Sequence, residues 1–381
     1  MTTKLLDELA DHWAFETSVR LTQQMVRTDS TCGKEGLLAR QLEEELKALD
    51  IGKVWCEEVS EDLENTLMEV DSGKPGPHLL FTGHLDTKPV CEGWTRDPFD
   101  GAIEDGHLFG HAVMDMKAGL GCQVGAIKSL VDGDVDFNGK ITFAAVCDHM
   151  GQQTGSIDLF RRHEFDHCVL GELTGMQIYV AHRGRYYFDI STVGLSAHTC
   201  HKDLAINAIE KMLPVAEEIS KLRYFPDIPP AMKDLVGPEL YIAVGRIFGG
   251  LFPGGPSMIP DRCTIRVDTR PQPGVPLEEV KALIEQAIEC AKARDKEIKV
   301  ELEVADVKNS FMVDPEERVV KCLREAWEEV MDKPASLVGG SWLGDTASFG
   351  HLCATVIFGP GGEPVYQPRR EEEIFSRTVT A

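Results

Sequence analysis

His84 and Asp86 stand two positions apart in Gly83-His84-Leu85-Asp86-Thr87, at the end of an apolar run that opens at His78. An imidazole binds a divalent ion through one ring nitrogen, and its other N–H commonly donates to a carboxylate that fixes the tautomer. A His-x-Asp pair can supply both partners, although on its own it equally fits a surface-loop histidine. Asp115, in Met114-Asp115-Met116-Lys117, precedes a helical pattern, so it either caps that helix or offers an oxygen ligand. Glu172, in Gly171-Glu172-Leu173, follows another apolar run and reads as a loop carboxylate or as a second oxygen ligand. One nitrogen and two anionic oxygens form a set suited to one divalent ion with open coordination positions. His149, in Asp148-His149-Met150-Gly151, adds an imidazole whose ordinary pKa near ~6.5 suits proton exchange at neutral pH. The alternative for His149 is a side chain merely tolerated at that place.

These residues are far apart in the chain, so the fold must unite them. The apolar runs His78 to Phe81, Ile141 to Val146, Cys168 to Leu170 and Ala354 to Phe358 each end in polar or glycine-rich turns, with helical patterns between them. That alternation predicts an α/β domain whose site lies at the C-terminal ends of its strands. Between Arg183 and Glu303 the order changes to strand (Tyr186 to Thr192), helix (Ala205 to Leu222), strand (Tyr241 to Ile247), strand (Cys263 to Thr269), helix (Leu277 to Arg294) and strand (Ile298 to Val304). This is the split order of a ferredoxin-like α+β unit. It predicts a catalytic metal-binding domain over 1–182 and 305–381, with an inserted domain over 183–304 and a further amphipathic helix from Pro315 to Met331.

On these motifs the chain resembles the metallopeptidase and deacylase family that includes acetylornithine deacetylase, succinyl-diaminopimelate desuccinylase and carboxypeptidase G. The resemblance implies His84 as first metal ligand with Asp86 as its supporting carboxylate, Asp115 as the aspartate that bridges two metals, and Glu172 as the remaining carboxylate ligand. It also implies that the inserted unit is a dimerisation or lid domain. There Gly194-Leu195-Ser196-Ala197-His198 carries a histidine that reaches the partner subunit's active site, and Arg270 lies in the motif that receives a substrate carboxylate. Two departures stand out. Asp148-His149-Met150 replaces the family's Asp-Glu-Glu, which supplies the general base and a ligand of the second metal. Tyr366, after Gly359-Pro360-Gly361, replaces a histidine that binds the same second metal.

Asp115 and Glu172 neutralise one dication and leave a second uncompensated, and a methionine thioether is a poor ligand for hard divalent ions. One divalent ion per chain is therefore expected. Ligand hardness favours Mn²⁺, with Zn²⁺, Fe²⁺ or Co²⁺ as alternatives. His149 then falls to the base position, while Tyr366 either contacts substrate or fills vacated volume, and Arg270 pairs with a substrate carboxylate or with a surface acid.

The expected activity is metal-dependent hydrolysis of a C–N bond. The altered base and the missing second-metal ligands suggest a substrate that is already activated, and these departures resemble those of 5-nitroanthranilate aminohydrolase, which implies replacement of the amino group of an activated aromatic amine by hydroxyl with release of ammonia. A one-metal aminoacylase or dipeptidase and a catalytically inactive dimeric binding protein are the alternatives.

With 63 acidic against 39 basic residues in 381, the formal charge of −24 disfavours nucleic acid and anionic membranes as partners. A small carboxylate-bearing substrate and a homodimer or higher homo-oligomer are expected instead. Eleven cysteines without a C-x-x-C pair, no apolar run of membrane-spanning length, and an opening MTTKLLDELADHW that lacks a signal-peptide core predict a cytoplasmic protein.

Overall fold

The computed structural model describes Leu9 and residues 12–250 and 257–361. The chain divides into two compact units, one comprising residues 1–180, 313–338 and 344–381, the other 181–312 and 339–343. The expected boundary at 304/305 falls inside the strand Val300–Lys308, whose ladder with Arg185–Val193 keeps it in the second unit, so that unit extends further.

The first unit is built on a mixed sheet. Among the described residues, seven of its nine strands are β1 (Lys53–Ser60), β2 (Leu63–Asp71), β3 (His78–His84), β4 (Lys140–Val146), β5 (His167–Leu170), β6 (Ile178–His182) and β7 (Ala354–Ile357), in the spatial order β1-β2-β4-β3-β5-β7-β6. The four apolar runs predicted as strands become the neighbours β4, β3, β5 and β7, all mutually parallel. Such strands are apolar nearly throughout because both sheet faces are covered. On one face α1 (Phe15–Val26), α2 (Glu35–Leu49) and α3 (Ala118–Asp132) bury Leu21, Leu42, Leu120 and Val124 against Phe143 and Met68. The other face packs Leu80, Ala144 and Cys168 with Leu159 of α4 (Thr154–Arg162) and Phe349.

The second unit carries a four-stranded antiparallel sheet ordered Tyr241–Gly249, Arg262–Arg270, Arg185–Val193, Val300–Lys308. The helices Ala208–Ser220 and Leu277–Arg294 contribute Met212, Val215, Ile284 and Ile288 to a core with Phe188, Ile190, Ile265 and Val267. This is the ferredoxin-like arrangement that the element order predicts. The first helix starts later than the periodicity suggests because Asn207 caps it, its Oδ1 accepting from the backbone N–H of Ile209 and Glu210. None of the eleven cysteines is in a disulfide, and among the described residues no helix is long and apolar enough to cross a membrane.

Candidate metal centre

Strand order brings the chemistry together. β3 lies between β4 and β5, with His84 opposite Val146 and Thr82 opposite Leu170. Residues at or just beyond three adjacent parallel strand ends therefore converge, since neighbouring strands lie only about 4.8 Å apart. His84 closes β3, His149 follows β4 by three residues, and Glu172 follows β5 by two. Each offers a ligand atom within 4.8 Å of the others'. The His84 and His149 rings stack at 4.1 Å, tilted by 11°.

Asp115 joins from the turn ahead of α3. Gly119 permits this approach, because a Cβ there would lie 1.9 Å from the Gly171 carbonyl oxygen, on the loop that bears Glu172. The start of α3 is thereby pressed against that loop. The Asp115 carboxylate makes no helix cap. Its Oδ1 lies 3.2 Å from His84 Nε2, while its Oδ2 accepts from Lys88 Nζ at 3.2 Å.

His84 is fully buried, and its Nδ1 donates to the Asp86 carbonyl at 2.7 Å, which leaves Nε2 as the ligating nitrogen. Nε2 has no aligned hydrogen-bond partner, although it lies 3.2 Å from Asp115 and 3.6 Å from Glu172 Oε1. A buried imidazole nitrogen aimed at two carboxylates without bonding to either is what a divalent-ion site requires of its ligands, so these residues fit a metal. Glu172 is 2% exposed, which excludes the reading as a solvated loop carboxylate.

The support for His84 differs from expectation. The partner is the backbone carbonyl of Asp86, whereas its carboxylate accepts the backbone N–H of His149 at 2.9 Å and of Met150 at 2.8 Å. Asp86 thus positions the loop after β4. Two other buried side chains hold the same loop. Asn65 accepts from Cys147 N and donates to the Gly155 carbonyl, and Glu35 accepts from Asp148 N. Asp148 is itself structural, accepting from Thr154 at the start of α4.

Sequence reasoning missed Asp345. It is fully buried, and its Oδ1 stands 2.9 Å from His149 Nδ1. The signal was an acid in Gly339-Gly340-Ser341-Trp342-Leu343-Gly344-Asp345 before a short helix, where capping is the ordinary explanation; the side chain does not cap. Gln153, also buried, donates to the Gly344 carbonyl and accepts from Ser348 Oγ, tying the loop of Asp345 to that of His149.

The site's acids and imidazoles shift one another. Burial works against a charged His84, but Asp115 and Glu172 outweigh it and lift the imidazole to about 10. Glu172 is pushed up to about 7 by burial and by the neighbouring Asp115 charge. Burial opposes ionisation of Asp115, yet His84 holds it below the usual carboxylate range. Burial likewise disfavours a charged His149, and Asp345 raises it despite that. A divalent ion held by His84 and Glu172 would compete with protons that both side chains hold more tightly here than in water. Divalent-ion affinity is therefore expected to rise with pH through the neutral range, as ligands must deprotonate. Competition titrations of the metal-free protein at several pH values check this, and a flat profile refutes it.

Two of the remaining predicted residues belong to the second unit. Arg270, in the second unit, makes a two-pronged ion pair with Asp268, with Nε–Oδ1 and Nη2–Oδ2 both at 2.9 Å. His198 is exposed in that unit and its Nδ1 accepts from Cys200 N. Tyr366 lies outside the described residues.

An α/β unit with a buried imidazole–carboxylate cluster at its parallel strand ends, interrupted by a ferredoxin-like unit, defines a metallopeptidase-like class. Residues 80–374 match the model of Peptidase family M20/M25/M40, and the chain belongs to that family. Over 226 residues it is 32% identical to succinyl-diaminopimelate desuccinylase of Methylobacterium radiotolerans, covering 55% of this chain and 57% of the relative. The corresponding protein of Beijerinckia indica is 29% identical over 220 residues, covering 54% and 57%. The chain thus spans a little over half the length of these relatives. Among solved structures it is similar to the M20 metallo-carboxypeptidase Sso-CP2 of Sulfolobus solfataricus (TM-score 0.74, 16% identity, 91% and 92% covered). It is also similar to aminopeptidase PepT of Bacillus cereus (TM-score 0.71, 21% identity, 93% and 92% covered). At these identities the likeness is one of fold.

Proposed function

We propose that the protein is a metal-dependent hydrolase of a C–N bond that works with a single divalent ion and uses His149 as general base. The observation that carries this reading is the cluster of buried His84 and Glu172 with half-buried His149, backed by Asp345. His84, Asp115 and Glu172 would hold the ion. When bound, a divalent ion acts as a Lewis acid and lowers the pKa of its water toward about 7. His149 accepts a proton at Nε2 and passes it to the departing amine, while its Nδ1 faces Asp345, whose carboxylate offsets the charge gained. Two carboxylates balance one dication, and a second beside it would be poorly compensated at low dielectric. Ligand hardness favours Mn²⁺ over Zn²⁺, Fe²⁺ and Co²⁺.

The substrate is a small carboxylate-bearing amide, an N-acylated amino acid or a short peptide. The names of the desuccinylase relatives and of the peptidase neighbours support this class. One observation favours a second reading, an aminohydrolase of an activated aromatic amine such as 5-nitroanthranilate: the base is an imidazole in place of a carboxylate, which suits a substrate needing less help at the leaving group. Ile247 and Phe248, exposed on the edge strand Tyr241–Gly249, support assembly with a second copy, through which His198 would serve the partner's site.

A panel of N-succinyl and N-acetyl amino acids, di- and tripeptides, and 5-nitroanthranilate separates these readings. Release of free amino acid from the amides is expected. Ammonia from 5-nitroanthranilate with no amide turnover selects the aminohydrolase, and a purified protein that binds no metal even after reconstitution selects the binding-protein alternative.

A further inference from the structure

One cation stands at the centre without a part in the proposed chemistry. Lys88 Nζ lies 3.2 Å from the outer oxygen of Asp115, Oδ2, while the inner oxygen, Oδ1, faces His84 Nε2. The lysine is set in place by its backbone. His111, buried, donates from Nε2 to the Lys88 carbonyl at 2.8 Å, with Trp94 and Phe99 packed edge-on against its ring. The preceding residue, Thr87, donates its N–H to the Ser30 carbonyl and bridges to Thr31. A side chain that is 41% exposed is thus carried on a segment pinned on both sides, with its ammonium 3.2 Å from the Asp115 carboxylate.

We propose that Lys88 is a built-in counter-cation that weakens binding of a second ion, in addition to the shortage of carboxylate charge. Its ammonium covers the outer lone pairs of Asp115, restricting that carboxylate to one inward-facing oxygen, and its charge repels a second dication from the acid that two ions would have to share. The inference rests on the metal-centre reading. It adds that a side chain that is not itself a ligand disfavours a second ion, which makes Lys88 a positioning residue.

The test counts ions instead of turnover. Calorimetric titration with Mn²⁺ and elemental analysis after equilibrium dialysis are applied to the parent protein, Lys88→Arg, Lys88→Met and Lys88→Glu. One ion per chain is expected for the parent and for the arginine variant, whose guanidinium keeps the charge. A second binding event at least about tenfold tighter than any in the parent is expected for Lys88→Met, and a tighter one again for Lys88→Glu, whose carboxylate replaces the repulsion by attraction. Circular dichroism verifies that the variants fold. Identical counts in the parent, Lys88→Met and Lys88→Glu overturn the role of Lys88 and leave the metal centre standing. No bound ion in any of the four proteins overturns the metal centre itself, and this role with it.

Discussion

Replacing Glu172 by alanine is expected to take bound metal from about one ion per chain to none after dialysis, because half of the compensating carboxylate charge is lost and ligand number drops with it. The side chain is buried beside His84 and Asp115, so a solvated surface acid cannot swing in to replace it. The metal-free fold should survive the change. Glu172 carries a pKa raised to about 7 by burial and by Asp115, so in the absence of metal its ionised form is disfavoured in the fold. The sign follows from linkage: a carboxyl raised on folding makes the folded state bind more protons than the unfolded state between about 4.5 and 7. Its contribution to stability is greatest below that window and is lost as pH rises through it. The metal-free Glu172→Ala protein should therefore lose stability less steeply than the parent as pH rises through this window. Elemental analysis and thermal melts at pH 5 and 8 read both outcomes. Unchanged metal content would remove Glu172 from the ligand set.

The second large effect belongs to Asp345. Asparagine in its place keeps the volume but removes the charge that orients and stabilises a protonated His149, and the amide can hold the ring in the wrong tautomer. A fall in kcat of about 10²- to 10⁴-fold, the range for general-base contributions, is expected with metal content unchanged. The pH profile carries the discriminating signature. Asp345 raises the His149 pKa, so the acidic limb of the activity profile should move to lower pH in Asp345→Asn even as the plateau falls. A residue that merely holds its loop would lower activity without moving the limb. An unshifted limb, or loss of metal together with activity, would assign Asp345 a structural part.

Three lines of the sequence converge on the architecture because each rests on local periodicity. The apolar runs before His84, His149 and Glu172 are continuous, as strands covered on both faces must be, and each ends in a polar turn. Candidate ligands at strand ends and the split order of the inserted unit were thus legible from local pattern, the acidic balance from residue counts, and the ligand roles from the family resemblance. Boundaries were less so: Asn207 delays a helix by capping it, and a β-ladder draws 305–312 into the second unit.

What the sequence determined by itself is which residues are available at which strand ends. Only the tertiary structure decided which of their atoms face one another. The order β4-β3-β5 sets His149 and Glu172 on either side of His84. It also turns the Asp86 carboxylate away from the histidine that its spacing suggested and onto the backbone of the next loop. Asp345 and Lys88 reach the site from segments with no periodic pattern of their own, a glycine-rich loop and a pinned turn. Strand pairing is written in short-range hydrophobic alternation. The direction of a single carboxylate oxygen depends instead on backbone hydrogen bonds between residues distant in the chain, and no spacing rule encodes that.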